Sequence, residues 1–405
     1  MLPVFCAQLC FGTVLAVGSP EQVESMSTVQ ANGLLGCFAL TEKLAGVQSG
    51  LIVQTKAEYD AASETFRLSN IGATEGAYKN WISQGFVADK AVVLADLTVG
   101  GERKGPHAFL MDMRKDGRLE PGVSTGDMGI KTVGNDLDNA WIAFDDVKLP
   151  RSALLSRYAE VEADGTYRQT NAAIKPFEMI GQRLYTGRVA VAQAALSYRR
   201  KLYEDTKAYA DTKPIPNFAS KEGKPLSSIP QLKALFAEAE ATASRLEEYV
   251  GRCEEQLIPL LRSGEVPSDE LAHRIATAKV KAVEHSIDLC WRLKQEVGSY
   301  ALMGDSGFGS MDFLQCCKFA EGDSRVLMLK MARDRLRRFG KEAKAGVAVP
   351  PGQEHEAQLC AQLAKSLGAA KGDKAREMAI WDEEWQAVYG LAEAVMARTT
   401  AEVMS

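Results

Sequence analysis

Four stretches of the chain carry residue types that could do chemistry. GCFALTEKLAG (36–46) is a glycine-led apolar run closing on Thr41 and Glu42, and taken bare it reads as a strand entering a turn. KNWIS (79–83) sets Trp81 and Ser83 shortly before a glycine. A tryptophan in such a strand serves plain core packing as readily as ligand contact. GDMGIKTVGNDLDNAWIAFDDVKLPRSALL (126–155) is a Gly- and Asn-rich loop that feeds a strand and leaves it through Pro-Arg. FAEGDSRVLML (319–329) places Glu321 and Asp323 at a helix start, where the helix dipole favours acids with or without a further role. Beside it, Cys316-Cys317 would suit a thiol mechanism, but no histidine is near in sequence and such thiols usually only pack. Arg333, Arg335, Arg337 and Arg338 with Lys341 could hold phosphates; at a helix end they more often form a solvated face.

The elements around these stretches change character along the chain. From about residue 40 to 165, LIVQTK (51–56), ETFRL (64–68), AVVLADL (91–97), HAFLMDM (107–113) and WIAFDDV (141–147) are short, β-branched or aromatic, and bounded by turns. No helical pattern intervenes, so a compact antiparallel sheet or barrel is favoured over βαβ units. From about 175 the period becomes helical. Leu232, Leu235, Phe236, Ala239, Ala243, Leu246, Val250, Cys253 and Leu257 form one apolar stripe. Leu271, Ile275, Ala278, Ala282, Leu289 and Leu293 form a second after the start signal Pro267-Ser268. Residues 183–210 and 323–340 read as further helices. A linker with Pro350-Pro351 follows, and 354–400 reads as two more helices, with Trp381 and Trp385 as an anchor to the bundle or a partner.

The 405 residues are 46% hydrophobic and 25% charged, the make-up of a globular protein with two or three domains. A net charge of −5 gives no basic field for nucleic acid. Eight cysteines without a C-x-x-C pair, and four histidines, argue against a disulfide scaffold or zinc site. Residues 1–18, MLPVFCAQLCFGTVLAVG, are uncharged. The run could pass for a signal-peptide core, but it has no basic start and Gln8 interrupts it, and it is short for a membrane span. It reads as a buried helix, followed by a new start at Ser19-Pro20-Glu21-Gln22.

In this order, the four motifs resemble the acyl-CoA oxidase and acyl-CoA dehydrogenase superfamily, the oxidase branch most closely, over about residues 15–340. CFALTE resembles the family's flavin-contacting strand and KNWIS its Lys-x-Trp-Ile-Ser/Thr strand. GDMGIK with DNAWIAFDDVKLPRSALL, and then YAEVEADGTY (158–167), are similar to oxidase segments. FAEGDSRVL matches the Glu-Gly-Asp signature. The resemblance implies an α+β fold with a central antiparallel β domain (barrel or sandwich) followed by a C-terminal helical bundle. It divides the chain into a remnant of an N-terminal helical domain (1–35), the β domain (36–168), the bundle (169–345), and a linker with C-terminal helices (346–405). It implies an FAD-dependent desaturation of acyl-CoA at Cα–Cβ, with oxygen as electron acceptor. Glu321 would be the general base, since burial of a carboxylate raises its basicity. Thr41 and backbone groups around Phe38 and Leu40 would bond the isoalloxazine, Trp81 would cover the ring, and Ser83 would lie beside it.

Four departures weigh against full function. Only the last part of the family's N-terminal helical domain is matched, so a shortened domain is expected, with an apolar surface covered by self-association or a larger complex. Lys43-Leu44-Ala45-Gly46-Val47-Gln48 stands where oxidases have a Gly-His-Gly-x-Asn run. Lys213, in DTKPIPNF (211–218), stands where the family uses an arginine on the flavin pyrophosphate, and lysine lacks the bidentate fork. The family's glycine pair reads Gly298-Ser299, with Ala301 in place of the next glycine. Weak or absent FAD is therefore expected. The alternative function is an impaired paralogue serving as a structural or assembly subunit. The family points to the peroxisome, but Val403-Met404-Ser405 does not spell the Ser-Lys-Leu address.

Overall fold

The computed structural model describes residues 2–29, 31–46, 52–72, 77–170, 176–217 and 220–404. Strand periodicity builds its first compact unit, residues 1–187 with 263–266. The strands are β1 (Gly36–Ala39), β2 (Lys56–Asp60), β3 (Thr65–Ser69), β4 (Lys79–Ser83), β5 (Lys90–Val99) and β6 (Glu102–Asp112). The short β7 (Arg114–Lys115) and β8 (Arg118–Leu119) precede β9 (Val123–Asp127), β10 (Asn139–Phe144), β11 (Val147–Pro150), β12 (Ala159–Val161) and β13 (Tyr167–Gln169). The main sheet runs β1-β5-β2-β3-β11 with β6 on β5, and β4-β10-β9 form a second sheet. Pairings are antiparallel except that β1 and β2 both run parallel to β5.

β5 explains its own unbroken apolar run. Ala91, Val93, Ala95 and Leu97 face one cluster with Phe66, Phe109 and Phe144. Val92 and Leu94 face another with Cys10, Val14 and Val17 of α1 (Leu2–Val17). A strand covered on both faces has no polar positions to alternate. Each buried valine or leucine of β5 contributes about 1.5–3 kcal/mol by leaving water. α1 comes so close to β1 that a Cβ at Gly36 would lie 2.7 Å from Phe11 and 2.8 Å from Cys10 Sγ. The next helix, α2 (Pro20–Glu24), starts as expected. Ser19 and Gln22 cap each other, and Gln22 Nε2 also donates to the carbonyls of Ser152 and Leu154 at 2.7 Å.

One strand lies elsewhere than expected. LIVQTK is not extended ladder: its Leu51 is outside the described residues, and the strand is the following Lys56–Asp60, with Ala57 and Tyr59 inward. The amides of Gln54 and Thr55 are taken by the Glu42 carboxylate instead of a neighbouring strand.

The second unit comprises residues 188–262 and 267–405. Its helices are the rest of α3 (Pro176–Thr212), then α4 (Pro230–Ser263), α5 (Asp269–Glu296), α6 (Asp312–Phe319), α7 (Ser324–Lys344), α8 (Glu354–Gly368), α9 (Lys374–Glu383) and α10 (Trp385–Met404). Between α3 and α4, β14 (Pro214–Asn217) pairs with β15 (Ser220–Pro225). Eight of the nine stripe residues of α4 are buried, and so are all six of α5. Ser268 caps α5 through the Leu271 amide. The tail holds three helices where two were expected. Lys371 and Gly372 take left-handed backbone (φ 50° and 86°), and Asp373 caps a fresh start. Trp381 packs on the tail cluster under Arg333, while Trp385 is half exposed.

Candidate functional site

In the first unit the CFALTE and KNWIS segments are joined. Thr41 accepts from the Asn80 amide at 2.9 Å, and Lys43 donates to Tyr78 at 2.8 Å. Between these contacts lies a wholly buried ion pair, Lys79 Nζ to Glu42 Oε1 at 2.9 Å. Glu42 also accepts from Gln54 N (2.7 Å), Thr55 N (2.9 Å) and Thr55 Oγ1 (2.8 Å). Lys79 also donates to the carbonyls of Leu94 (2.7 Å) and Leu40 (3.2 Å). Burial lowers the Lys79 amine to about 8, and Glu42 opposes the shift. With its donors and acceptors met, the pair is a fastener between residues 37 apart in the chain.

Two residues beyond Lys79 the strand bulges. Opposite β10 the register slips between Ala140 and Ile142, and Trp81 takes a left-handed backbone, φ 57°. The indole is turned out, 55% exposed, so core packing does not account for it. Thr41 is exposed beside this bulge. Ser83 Oγ accepts from Asn139 Nδ2 at 3.1 Å. Phe38 and Leu40 are half-buried against the α1 cluster, and the Leu40 carbonyl is already engaged by Lys79. An exposed indole on strained backbone next to a free-standing threonine suits a planar ring system, so these residues fit the ring half of a flavin. Trp141 adds a second platform, stacked on Tyr78 at 6.2 Å and lying over Gly126, where a Cβ would come within 2.5 Å of Nε1.

In the second unit, Glu321 occupies the turn between α6 and α7. Its backbone is left-handed (φ 57°), followed by Gly322 at φ 101°. Oε2 is sealed from water and has no hydrogen-bond partner among the described residues. Burial pushes the carboxyl up to about 7, with Arg188 and then Lys279 pulling the other way. Arg188 Nε donates to the Glu321 carbonyl at 3.0 Å. Lys279, fully buried on α5, donates to Lys318 O (2.5 Å), Gly322 O (2.9 Å) and Ser324 Oγ (3.1 Å). Asp323 is the cap of α7, accepting from the Arg325 amide at 2.7 Å.

Other candidates resolve simply. Burial raises the Cys317 thiol to about 12, the mark of a packed rather than reactive thiol. The arginine cluster is spent on protein partners: Arg335 on Glu356 and Glu342, Arg337 on Asp334, Arg338 on Glu342, and Arg333 over Trp381. Lys213 is exposed at the end of α3, its amide donating to Tyr209 O. Ser299 and Ala301 lie in a 3-10 turn (298–302) whose Tyr300 stacks on Tyr209 at 3.8 Å. Val47, Gln48 and Phe218 lie outside the described residues. Among the described residues there is no metal-binding cluster and no helix long and apolar enough to cross a membrane.

Sequence reasoning missed Lys79, Glu42, Lys279 and Arg188. Lys279 had a readable signal: it interrupts the apolar stripe of α5 four residues after Ile275 and three before Ala282.

Comparison with known proteins gives a consistent picture. No family model matches the chain. It is 30% identical over 353 residues to acyl-coenzyme A oxidase 2 of Yarrowia lipolytica, covering 80% of this chain and 49% of that one. Against human peroxisomal acyl-coenzyme A oxidase 3 the identity is 35% over 200 residues, 46% of this chain and 27% of the other. Among solved structures, acyl-CoA oxidase 3 of Y. lipolytica superposes with TM-score 0.82 at 19% identity, covering 99% of this chain and 64% of its own. Acyl-CoA oxidase-2 of Caenorhabditis elegans, bound with FAD, ascaroside-CoA and ATP, gives 0.82 at 19%, covering 99% and 65%. The chain spans about half the length of the curated relatives it matches over most of its own length.

Proposed function

Because the chain belongs to the acyl-CoA oxidase and dehydrogenase superfamily, we propose that it desaturates an acyl-CoA thioester between Cα and Cβ, with Glu321 as general base. The observation that carries this reading is Glu321, whose Oε2 is sealed from water and without a hydrogen-bond partner among the described residues, and whose carboxyl is raised to about 7. An unsatisfied buried carboxylate costs about 1–3 kcal/mol or more, and a turn that keeps one has a use for it. Near neutral pH the group is split between its two forms, as a base that takes a proton and returns it should be. FAD, when bound, supplies the acceptor for the β-hydride and hands the electrons to oxygen. Thr41, Trp81 and the backbone near Phe38 and Leu40 would hold the ring, with Ser83 beside it; the family resemblance alone makes Lys213 the cation for the pyrophosphate. Lys213 can offer a point charge only, so the affinity for FAD is expected to be low.

Association with a second copy or a larger assembly belongs to the same reading as an expectation; Leu15 on α1 is 52% exposed. A peroxisomal setting follows the naming of relatives such as the human protein. The test is gel filtration of the chain with and without saturating FAD, followed by addition of an acyl-CoA in air. The expected result is an oligomer that loses FAD on the column, regains it on titration, and then releases peroxide. Failure to take up FAD on titration, with no peroxide released, would favour the assembly-subunit reading, for which the pyrophosphate lysine is the supporting observation.

A further inference from the structure

The turn carrying Glu321 is held from outside as well as by its own sequence. A non-glycine residue in left-handed backbone costs about 1–2 kcal/mol, and here it is followed directly by Gly322 in the same half of the map. Within FAEGD, Asp323 caps α7 and the Ala320 amide closes α6. Further bonds come from α5 and α3. Lys279 bonds the turn at Lys318, Gly322 and Ser324, on both sides of Glu321. Arg188 bonds the carbonyl of Glu321 itself. Both cations bond the main chain of the turn, and Glu321 Oε2 has no hydrogen-bond partner among the described residues.

We propose that Lys279, seconded by Arg188, is a positioning residue that clamps the 318–324 turn and so fixes where the Glu321 carboxylate points. The proposal rests on the reading of Glu321 as the base. Its electrostatic consequence can be measured. The charges acting on the carboxyl are Arg188 from α3 and Lys279 from α5; Asp323 and Glu284 act in turn on Lys279. Burial lowers the Lys279 amine to about 8, so around neutral pH it is still mostly charged and opposes the rise of Glu321.

The test uses the FAD-saturated chain with Lys279→Met, which keeps the bulk, and Lys279→Gln, which keeps a donor. The carboxyl titration of Glu321 is followed by 13C NMR, identified by its loss in Glu321→Gln, together with the pH profile of kcat/KM. Both variants should move the Glu321 midpoint upward from about 7 by about one pH unit. The rising limb of kcat/KM should move with it, so rate is recovered at alkaline pH. In Lys279→Met, kcat should also fall by up to about 10²-fold, because the turn loosens, while KM holds. Lys279→Gln should lose less. An unmoved midpoint would overturn the proposal, and so would collapse of the whole fold in both variants, which would make Lys279 a strut of the bundle. Undiminished turnover in Glu321→Gln would instead overturn the reading of the base and leave the NMR result standing.

Discussion

Each compact unit buries a lysine beside a glutamate, and the two are treated in opposite ways. In the first unit Lys79 bonds the Glu42 carboxylate, which collects four hydrogen bonds in all. In the second, Lys279 bonds two carbonyls and a hydroxyl around Glu321 and leaves the carboxylate alone. A satisfied buried carboxylate fastens; an unsatisfied one is kept basic. The difference separates a structural ion pair from a candidate catalytic group without appeal to any relative.

The largest expected effect breaks the first half of that contrast. Lys79→Met leaves a buried carboxylate unpaired and should cost about 3–5 kcal/mol in chemical denaturation. Adding Glu42→Leu should recover much of the loss, since a buried pair replaced by apolar groups is often neutral. Equal losses in the single and double variants would contradict the fastener role.

The second half concerns pH. The folded-state value of Glu321 is raised from an ordinary 4.5 to about 7, so the folded protein holds a proton that the unfolded chain releases. The stability tied to that proton is complete below about pH 4.5 and is lost as pH rises through 7. At about 1.4 kcal/mol per pH unit, the ceiling is roughly 3 kcal/mol. Glu321→Gln should therefore gain on the parent between pH 5 and 7.5 in urea denaturation. A stability difference that stays constant over this range would contradict the raised value.

What the sequence made legible follows from the range of the interactions. Helix stripes, the Ser19 and Ser268 caps and the apolar run of β5 are local patterns, and they were readable. Glu321 was readable only through resemblance to a family, because by itself FAEGD is a pair of helix-start acids. The clamp was not readable, since Lys279 lies 42 residues from Glu321 and only packing of α5 brings it to the turn. The same holds for Glu42 and Gln54–Thr55, where a carboxylate takes amides that an apolar run seemed to offer to a strand. The tail reads as two helices in sequence and has three, because α8 stops at Gly368, Asp373 caps α9, and α9 stops at Glu383 before α10.

The central claim is that the Glu321 carboxylate, unpartnered at Oε2, does the chemistry. The direct measurement is anaerobic bleaching of the FAD-saturated chain by an acyl-CoA, in the parent and in Glu321→Gln. Both should bind FAD alike, and bleaching should slow by about 10²–10⁴-fold in the variant. Bleaching at the parent rate in Glu321→Gln would contradict the account.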